Sequence, residues 1–388
     1  MKYSWEGHYC ENLAWESDPE GLCILHSLVS EKDKAAFDQA LQAKLAQEDF
    51  NFREVHFPGP VSFARQKFKK PADFHGVKFS GWGDFREVEF LEGADFSSSR
   101  FAQAALFEKA RFAGQVLFKG VEIAGEADFR STTFDGPAIF QNLNERRQSS
   151  GHLPLIAYFQ YLTFGSEGHI RFQDLSLGLV SFLGTDMRRL EFHNVRWYIF
   201  RGRQVIYDEI LLRGKGGPYV LSFNPLREHG LSYEGLCARV EELYRYLKLN
   251  YEQEGDQKQA GDFHYGEMEM HRRASPWRRW FPLSWYNLYW ALSGYGERPF
   301  RAFLCLLALL NGMALLLTAL GLKTPQGDDV GFGNALIFLL QQTTLIHPDW
   351  ASPASPGGQL LSALSRLLIP AQAALFILAL HNRLGRRR

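Results

Sequence analysis

The chain has 388 residues, room for two or three domains, and its 43 basic and 43 acidic side chains leave a formal net charge of zero. That balance removes any global electrostatic pull toward nucleic acid. Aromatic residues make up 14% of the chain, well spread except for one dense stretch, and only four cysteines are present.

Residues 1–49 read as an N-terminal cap. The start, Met1-Lys-Tyr-Ser-Trp-Glu-Gly7, lacks the apolar run of a leader. The segments outside the membrane are therefore expected in the cytoplasm, where disulfides are not. His8, Cys10, Cys23 and His26 form H-x-C, twelve residues, then C-x-x-H. Two readings stand. Four N/S ligands close a tetrahedral zinc site that staples a segment poor in apolar residues, or Cys23-Ile-Leu-His26 is an apolar edge. Ser30-Glu-Lys-Asp33 reads as a capping box. It predicts a helix to about Gln47 with Phe37, Leu41 and Leu45 on one face, covering the first coil of the repeat region that begins near residue 50.

Residues 50–200 carry the dense aromatic stretch. Phe occupies 52, 57, 63, 68, 74, 79, 85, 90, 96, 101, 107, 112, 118, 129, 134 and 140, with Ile123 filling one slot. Spacings alternate five and six, which is an 11-residue repeat run eight times from Phe52 to Phe140. Two residues before each Phe stands a residue that is mostly small or β-branched, such as Val55, Ala72, Gly83 and Ala94. In extended chain those two positions share a face. A helix at 3.6 residues per turn cannot keep this timing. A β-solenoid can, with two repeats per coil and coils spaced by the strand separation of about 4.8 Å. After the loop Asn142–Gly151, the ladder resumes at Phe159 and Phe164. It then runs at five through Phe172, Leu177, Phe182, Met187, Phe192 and Trp197.

The Phe-rich pattern, as in Ala94-Asp95-Phe96 and Ala127-Asp128-Phe129, resembles the pentapeptide-repeat superfamily. The resemblance implies a right-handed quadrilateral β-helix with Phe stacked inside. The extra residue in each 11 departs from the family's strict five.

Residues 201–231 read as an end piece and linker. Residues 232–274 switch to helical periodicity: Leu236, Val240, Leu243, Leu247 and Tyr251, a stop at Gly255, then Ala260 and Phe263 on a second helix. The charged run Asp262–Arg273 reads as a solvated face. Residues 275–301 combine Trp277-Arg-Arg-Trp-Phe281 with Trp285-Tyr-Asn-Leu-Tyr-Trp290, an amphipathic interfacial segment.

Residues 302–388 then predict two crossings. Ala302–Leu322 has no charge, and Gly357–Leu380 has one, Arg366. Between them Gly333–Ile346 is apolar but too short to span. Six arginines in 271–301 and four in 381–388 flank a loop, 323–358, holding Lys323 against Asp328, Asp329 and Asp349. The positive-inside rule puts both termini in the cytoplasm, so the expectation is a multi-pass protein of the inner membrane. Helix, re-entrant segment, helix resembles the pore domain of two-transmembrane ion channels. The local match is Gln342-Thr343-Thr344-Leu345-Ile346-His347-Pro348-Asp349. Potassium channels have filter glycines where this chain has Ile346 and Pro348, so no potassium-type filter is expected. The whole arrangement resembles bacterial membrane-bound pentapeptide-repeat proteins.

Three functions compete. The first is a membrane-anchored scaffold or sensor, homo-oligomeric, with a channel-like domain, membrane lipid around it and a protein partner of unknown identity. A non-conducting anchored scaffold is its simpler form. The second is a DNA mimic that protects gyrase, which needs an acidic surface. Residues 50–200 hold 17 acidic and 18 basic side chains, against mimicry and against any nucleic-acid partner. The third is an enzyme, but no nucleophile–base motif, carboxylate pair or phosphate loop is present.

Overall fold

The computed structural model describes residues 14–29, 31–144, 154–214, 230–275, 284–344 and 348–384, with the backbone of two short strands at 4–5 and 8–9. The chain divides into two compact units, 1–231 and 232–388.

The first unit is a four-sided β-solenoid of about six turns over residues 56–193. Strands of two to five residues stack in parallel on four faces, and each pairs with the strand one coil on: Ala72 with Ala94, Ala94 with Val116, Val116 with Ala138. One coil is therefore 22 residues, two 11-residue repeats. The Phe ladder resolves into four interior columns. Phe52, Phe74, Phe96, Phe118 and Phe140 form one. Phe63, Phe85, Phe107 and Phe129 form the opposite one. Within columns the rings lie face to face, as in Phe96–Phe118 at 5.0 Å. Between columns they meet edge to face, as in Phe96–Phe107 at 5.3 Å and 87°. Both geometries satisfy the ring quadrupole. The small residue two before each Phe is sized by its neighbours. A Cβ on Gly83 would lie 2.7 Å from the Phe101 ring.

The uneven spacing has a backbone cause. Positive φ occurs two residues after each Phe of those two columns: Glu54, Arg65, Gly76, Glu87, Ser98, Lys109, Gly120, Ser131 and Asn142. There the Phe carbonyl accepts from the amide three on, as in Phe52 to Val55 at 3.0 Å, closing a tight turn. The other two corners carry the sixth residue and turn more widely. The aspartate before Phe completes the tight corner, since Asp95 Oδ1 accepts from Ser97 N at 2.8 Å. From Phe172 the corners shorten, and Phe172 stacks on Phe192, 20 residues on, at 5.7 Å.

Outside, opposite charges face each other one coil apart: Arg65–Glu87, Lys67–Glu89, Arg100–Glu122 and Arg171–Glu191. Such exposed pairs contribute little energy each, but their spacing agrees with the coil and penalises a slipped register.

Both solenoid ends are covered. Helix α1 (Lys34–Ala46) lays Phe37 edge-on to Phe57 at 5.6 Å. Its N-cap is Asp33, whose carboxylate accepts from Ala35 N and Ala36 N. The capping box on Ser30 therefore does not start it: Asp33 makes the cap itself and the helix begins three residues later than expected, while Ser30 lies outside the described residues. At the other end the last stacked strand is Leu190–His193, short of residue 200. Trp197 closes over Phe192 at 5.3 Å, and an antiparallel hairpin (198–200 with 203–205) and α2 (Tyr207–Leu212) come next. In each coil the Phe amide donates to a carbonyl of the next, as Phe159 N does to Ser181 O at 2.8 Å. For Phe182 the acceptor is Asp208 Oδ2 at 3.0 Å, with Ser181 Oγ donating to Oδ1 at 2.5 Å. A buried carboxylate thus stands in for the missing coil, and burial pushes its pKa up to about 6.

The second unit is helical. Helices α3 (Tyr233–Gln253) and α4 (Gln257–Ala274) form a hairpin, with Ser232 and Asp256 as N-caps and Gly255 at φ +78° between them. At Gly266 an added Cβ would lie 2.6 Å from Tyr244, so the helices touch closely there. The run Asp262–Arg273 is not the solvated face expected. Phe263, Gly266, Glu269 and Met270 are buried. Burial alone would raise the Glu267 carboxyl, but bonds from His264, Lys248 and Arg245 outweigh it and hold it at about 2. Its acids bind bases of α3, as Glu267 does Arg245 and Lys248, and of their own helix, as Glu269 does Arg272 and Arg273. Among the described residues α5 (Trp285–Ser293), α6 (Pro299–Ala319) and α7 (Phe332–Thr343) follow, and then α8 (Pro356–Leu384). The apolar helix α6 starts three residues before the expected Ala302. It stops at Ala319, because Leu322-Lys323 pairs with Ser352-Pro353 as a short ribbon.

Truncating Phe96 to Ala removes a fully buried ring that touches two columns. The expected loss is about 3–5 kcal/mol, read as a lowered midpoint of the β signal in denaturant; an unchanged midpoint would place that ring outside the core.

Asp208 predicts a pH dependence. Its folded pKa is raised above the unfolded value of about 4, so its contribution is complete below that and declines as pH rises to about 6. Asp208→Asn keeps an acceptor for Phe182 N. The variant should lose this decline and gain on wild type in melting temperature between pH 4 and 6; parallel curves for the two proteins would refute it.

Candidate functional site

Two places carry the chemistry that the sequence singled out. The first is the cysteine–histidine group. Residues 23–27 form a tight turn in which His26 N and Ser27 N donate to Cys23 O. The turn brings Cys23 Sγ to 3.0 Å from His26 Nδ1. His26 Nε2 lies 3.0 Å from the carbonyl of Arg53, so Nε2 holds the proton and Nδ1 presents its lone pair toward the sulfur. A metal-bound histidine is commonly oriented by such a backbone carbonyl, and this half fits a zinc edge. Leu22, Cys23 and Leu25 are also buried, so the turn packs as an apolar edge too. The side chain of His8 and the whole of Cys10 lie outside the described residues; the backbone of 8–9 pairs with 4–5 as a hairpin. Among the described residues no group of three metal-binding side chains occurs.

The second place is the apolar helical region. At its base Trp290 lies between two guanidiniums, Arg272 at 5.1 Å and Arg301 at 5.2 Å from the ring, and Trp290 Nε1 donates to Tyr265 OH at 3.0 Å. Trp285 by contrast is 86% exposed. Residues 276–283, with the first aromatic–arginine group, lie outside the described residues. In the turn Gly294-Tyr-Gly296 all three residues have positive φ, which sends the buried Tyr295 hydroxyl to Glu269 Oε2 at 3.4 Å. The turn thereby ties the hairpin to the start of α6.

Helices α6 and α8 are each long and apolar enough to cross a membrane. They pack against α7 through Met313, Leu317, Phe338, Leu339 and Ile369. Within this apolar core sits a polar group that sequence reasoning missed. Gln342 Nε2 donates to Ser362 Oγ at 2.8 Å, and Ser365 Oγ donates to Gln342 Oε1 at 3.3 Å. Trp350 Nε1 donates to Gln341 Oε1 at 2.7 Å. The available signal was the pair of serines three apart in an otherwise apolar run.

Of the expected pore-like residues, Thr343 and Thr344 end α7. Thr343 Oγ1 donates to Leu340 O at 2.8 Å and Thr344 Oγ1 to Gln341 O at 3.0 Å. Both hydroxyls satisfy their own helix end. Leu345, Ile346 and His347 lie outside the described residues.

The model of pentapeptide repeats (nine copies) matches residues 52–100 and 96–143. Residues 52–143 are pentapeptide repeats. Neither the curated proteins nor the solved structures include a significant match. The family match therefore covers the first four coils of the solenoid, and the pentapeptide repeats by themselves assign no chemistry to the helical region.

If His8 and Cys10 complete the site, purified protein should carry near-stoichiometric zinc by elemental analysis. Cys10→Ser with Cys23→Ser should remove it. No metal in wild type, or equal metal in the double variant, would leave the turn as packing alone.

Proposed function

We propose that this chain is a membrane-anchored pentapeptide-repeat scaffold. The solenoid offers its faces to a protein partner, and α6, α7 and α8 form a channel-like membrane domain. The observation that carries the reading is where the leucines are. In the most apolar window of both α6 and α8 only 22% of residues are buried. Leu304, Leu315, Leu316, Leu364 and Leu367 are exposed. A core helix of a water-soluble protein hides such residues; a bilayer solvates them.

The charge distribution supports cytoplasmic termini, because the arginines lie before α6 and after α8 while the connecting loop is acidic. Helix α7 spans 12 residues, about 18 Å of rise, short of a bilayer core of about 30 Å. It therefore enters and returns, held by Gln342 to α8. Backbone leaving a helix at membrane depth needs protein or water around it, which favours an oligomer enclosing a pathway beside Thr343 and Thr344. Without filter glycines at Ile346 and Pro348 that pathway does not select potassium. On the solenoid, charges pair between coils, so partner recognition rests on shape and local groups rather than on net charge. No catalytic step is part of this reading.

Single cysteines at Gln341 through His347 should react with a membrane-impermeant thiol reagent from the outer side of the bilayer. Reaction from the cytoplasmic side alone would overturn the topology. Bilayer recordings of purified protein should show weakly selective conduction; outer labelling without current would retain the anchor and remove the channel.

A further inference from the structure

Arg366 is the single charge in the three apolar segments 302–322, 333–346 and 357–380. Its depth is set by contacts on either side. A Cβ at Gly357 would lie 3.7 Å from Leu320, and Gln372 Nε2 donates to Ala302 O at 2.9 Å. The apolar helix α6 therefore runs level with 357–372 of α8. Arg366 is nine residues from one end of that overlap and six from the other. The nearer end is six residues away, about 9 Å of helix, still beyond the length of an extended arginine side chain.

Arg366 is exposed, and among the described residues its side chain has no hydrogen bond or ion pair. A second group at the same place is also short of a partner. Pro370 lies inside the helix and has no N–H, so α8 cannot supply the usual donor to the Arg366 carbonyl. Hydrocarbon solvates neither group. The surrounding surface agrees. Gln359, Ala363, Arg366, Pro370 and Ala374 recur at helical spacing and are all exposed, a stripe without a large aliphatic side chain up to Ile377, the next exposed residue in that spacing. About a quarter-turn away, Leu360, Leu364, Leu367 and Leu368 form the lipid-like stripe. No carboxylate of this chain lies in an apolar segment, so a second copy cannot neutralise Arg366 at this depth. Water and a dissolved anion can.

We propose that the Arg366 stripe of α8 lines a water-filled crevice between copies of this chain and that the crevice admits small inorganic anions. This rests on the reading that α6 and α8 cross the bilayer. It adds the face that meets water and the sign of the ion. The guanidinium stabilises an anion there and repels a cation.

The test uses full-length protein in liposomes and does not need a current. Cysteine replaces Ala363 on the stripe, Leu364 at the same depth on the leucine side, and Asp328 in the loop as the water reference. All three fall on the tryptic peptide 324–366, which Arg366→Gln extends to 324–383; neither has a native cysteine, so modification is read by mass at those peptides. Anionic and cationic methanethiosulfonates are compared, using only variants that float with the vesicles and elute like wild type.

Ala363→Cys should react with the anionic reagent within about tenfold of Asp328→Cys, as a water-lined site does, and Leu364→Cys far more slowly. The anionic-to-cationic rate ratio should be higher at 363 than at 328, and Arg366→Gln should abolish the excess. Ala363→Cys as inert as Leu364→Cys would overturn the proposal and leave Arg366 among lipid headgroups. So would an excess unchanged by Arg366→Gln. Protein that does not float with vesicles instead defeats the membrane reading beneath it. Intact labelling with no current removes conduction alone and supports the crevice.

Discussion

The first unit depends on one repeated contact: a phenyl ring lying on the ring one coil above it. The Phe96 ring is parallel to those of Phe74 and Phe118 to within 2°, at about the separation of hydrogen-bonded strands. The backbone ladder and the ring stack therefore favour the same rise. The coil from Phe74 to Phe90 contributes four such contacts, and the neighbouring columns turn their rings edge-on to fill the square. Because the backbone pairs only with the coil above and below, the structure is a sum of nearest-neighbour terms. That is why its two ends need separate devices: an aromatic helix face at Phe37, and the Trp197 lid with the Asp208 carboxylate.

Much of this was legible because the interior tolerates so little variation. A column position accepts a large flat ring, the position two before it accepts what the neighbouring ring leaves, and the pattern repeats before noise can hide it. The corner geometry was less legible. Nothing in Glu54, Arg65, Glu87 or Lys109 as residue types announces positive φ, since glycine and asparagine are the usual signs. Their common feature is position, two after a column Phe, and that becomes informative only once the columns are known. The capping box at Ser30 misleads for a local reason: Asp33, three residues on, is an equally good cap and lies nearer the first buried residue, Phe37.

The helical unit was legible as helices and illegible as a network. Periodicity finds α3 and α4, but the acids of Asp262–Arg273 carry no sign in the sequence that they face inward. Glu269 is buried with Arg272, Arg273 and Tyr295 around it, and the partners lie up to 26 residues away in sequence. A residue-by-residue reading has no access to that pairing. The same limit hides Gln342, whose partners Ser362 and Ser365 are 20 and 23 residues on.

If α6 and α8 cross a bilayer, as proposed, the two units solve the same polar problem in opposite solvents. In the solenoid, buried backbone groups are satisfied by the next coil, and where no next coil exists a carboxylate replaces it. Most charges stay outside, where water screens them and their pairing costs little, and the buried Asp84 and Asp128 each hold an arginine, Arg86 and Arg130. In the apolar helices the outside is leucine, so every polar group must find a partner within the bundle. Gln342 does so with Ser362 and Ser365. Gln372 reaches the carbonyls of Leu292 and Ala302. Thr343 and Thr344 turn back onto their own helix. Against this background Arg366 is the departure. A bundle that partners these amides and hydroxyls, the buried Gln372 Oε1 excepted, leaves one guanidinium and, through Pro370, the carbonyl of the same residue without an intrahelical donor. The economical explanation is that this face does not meet hydrocarbon at all.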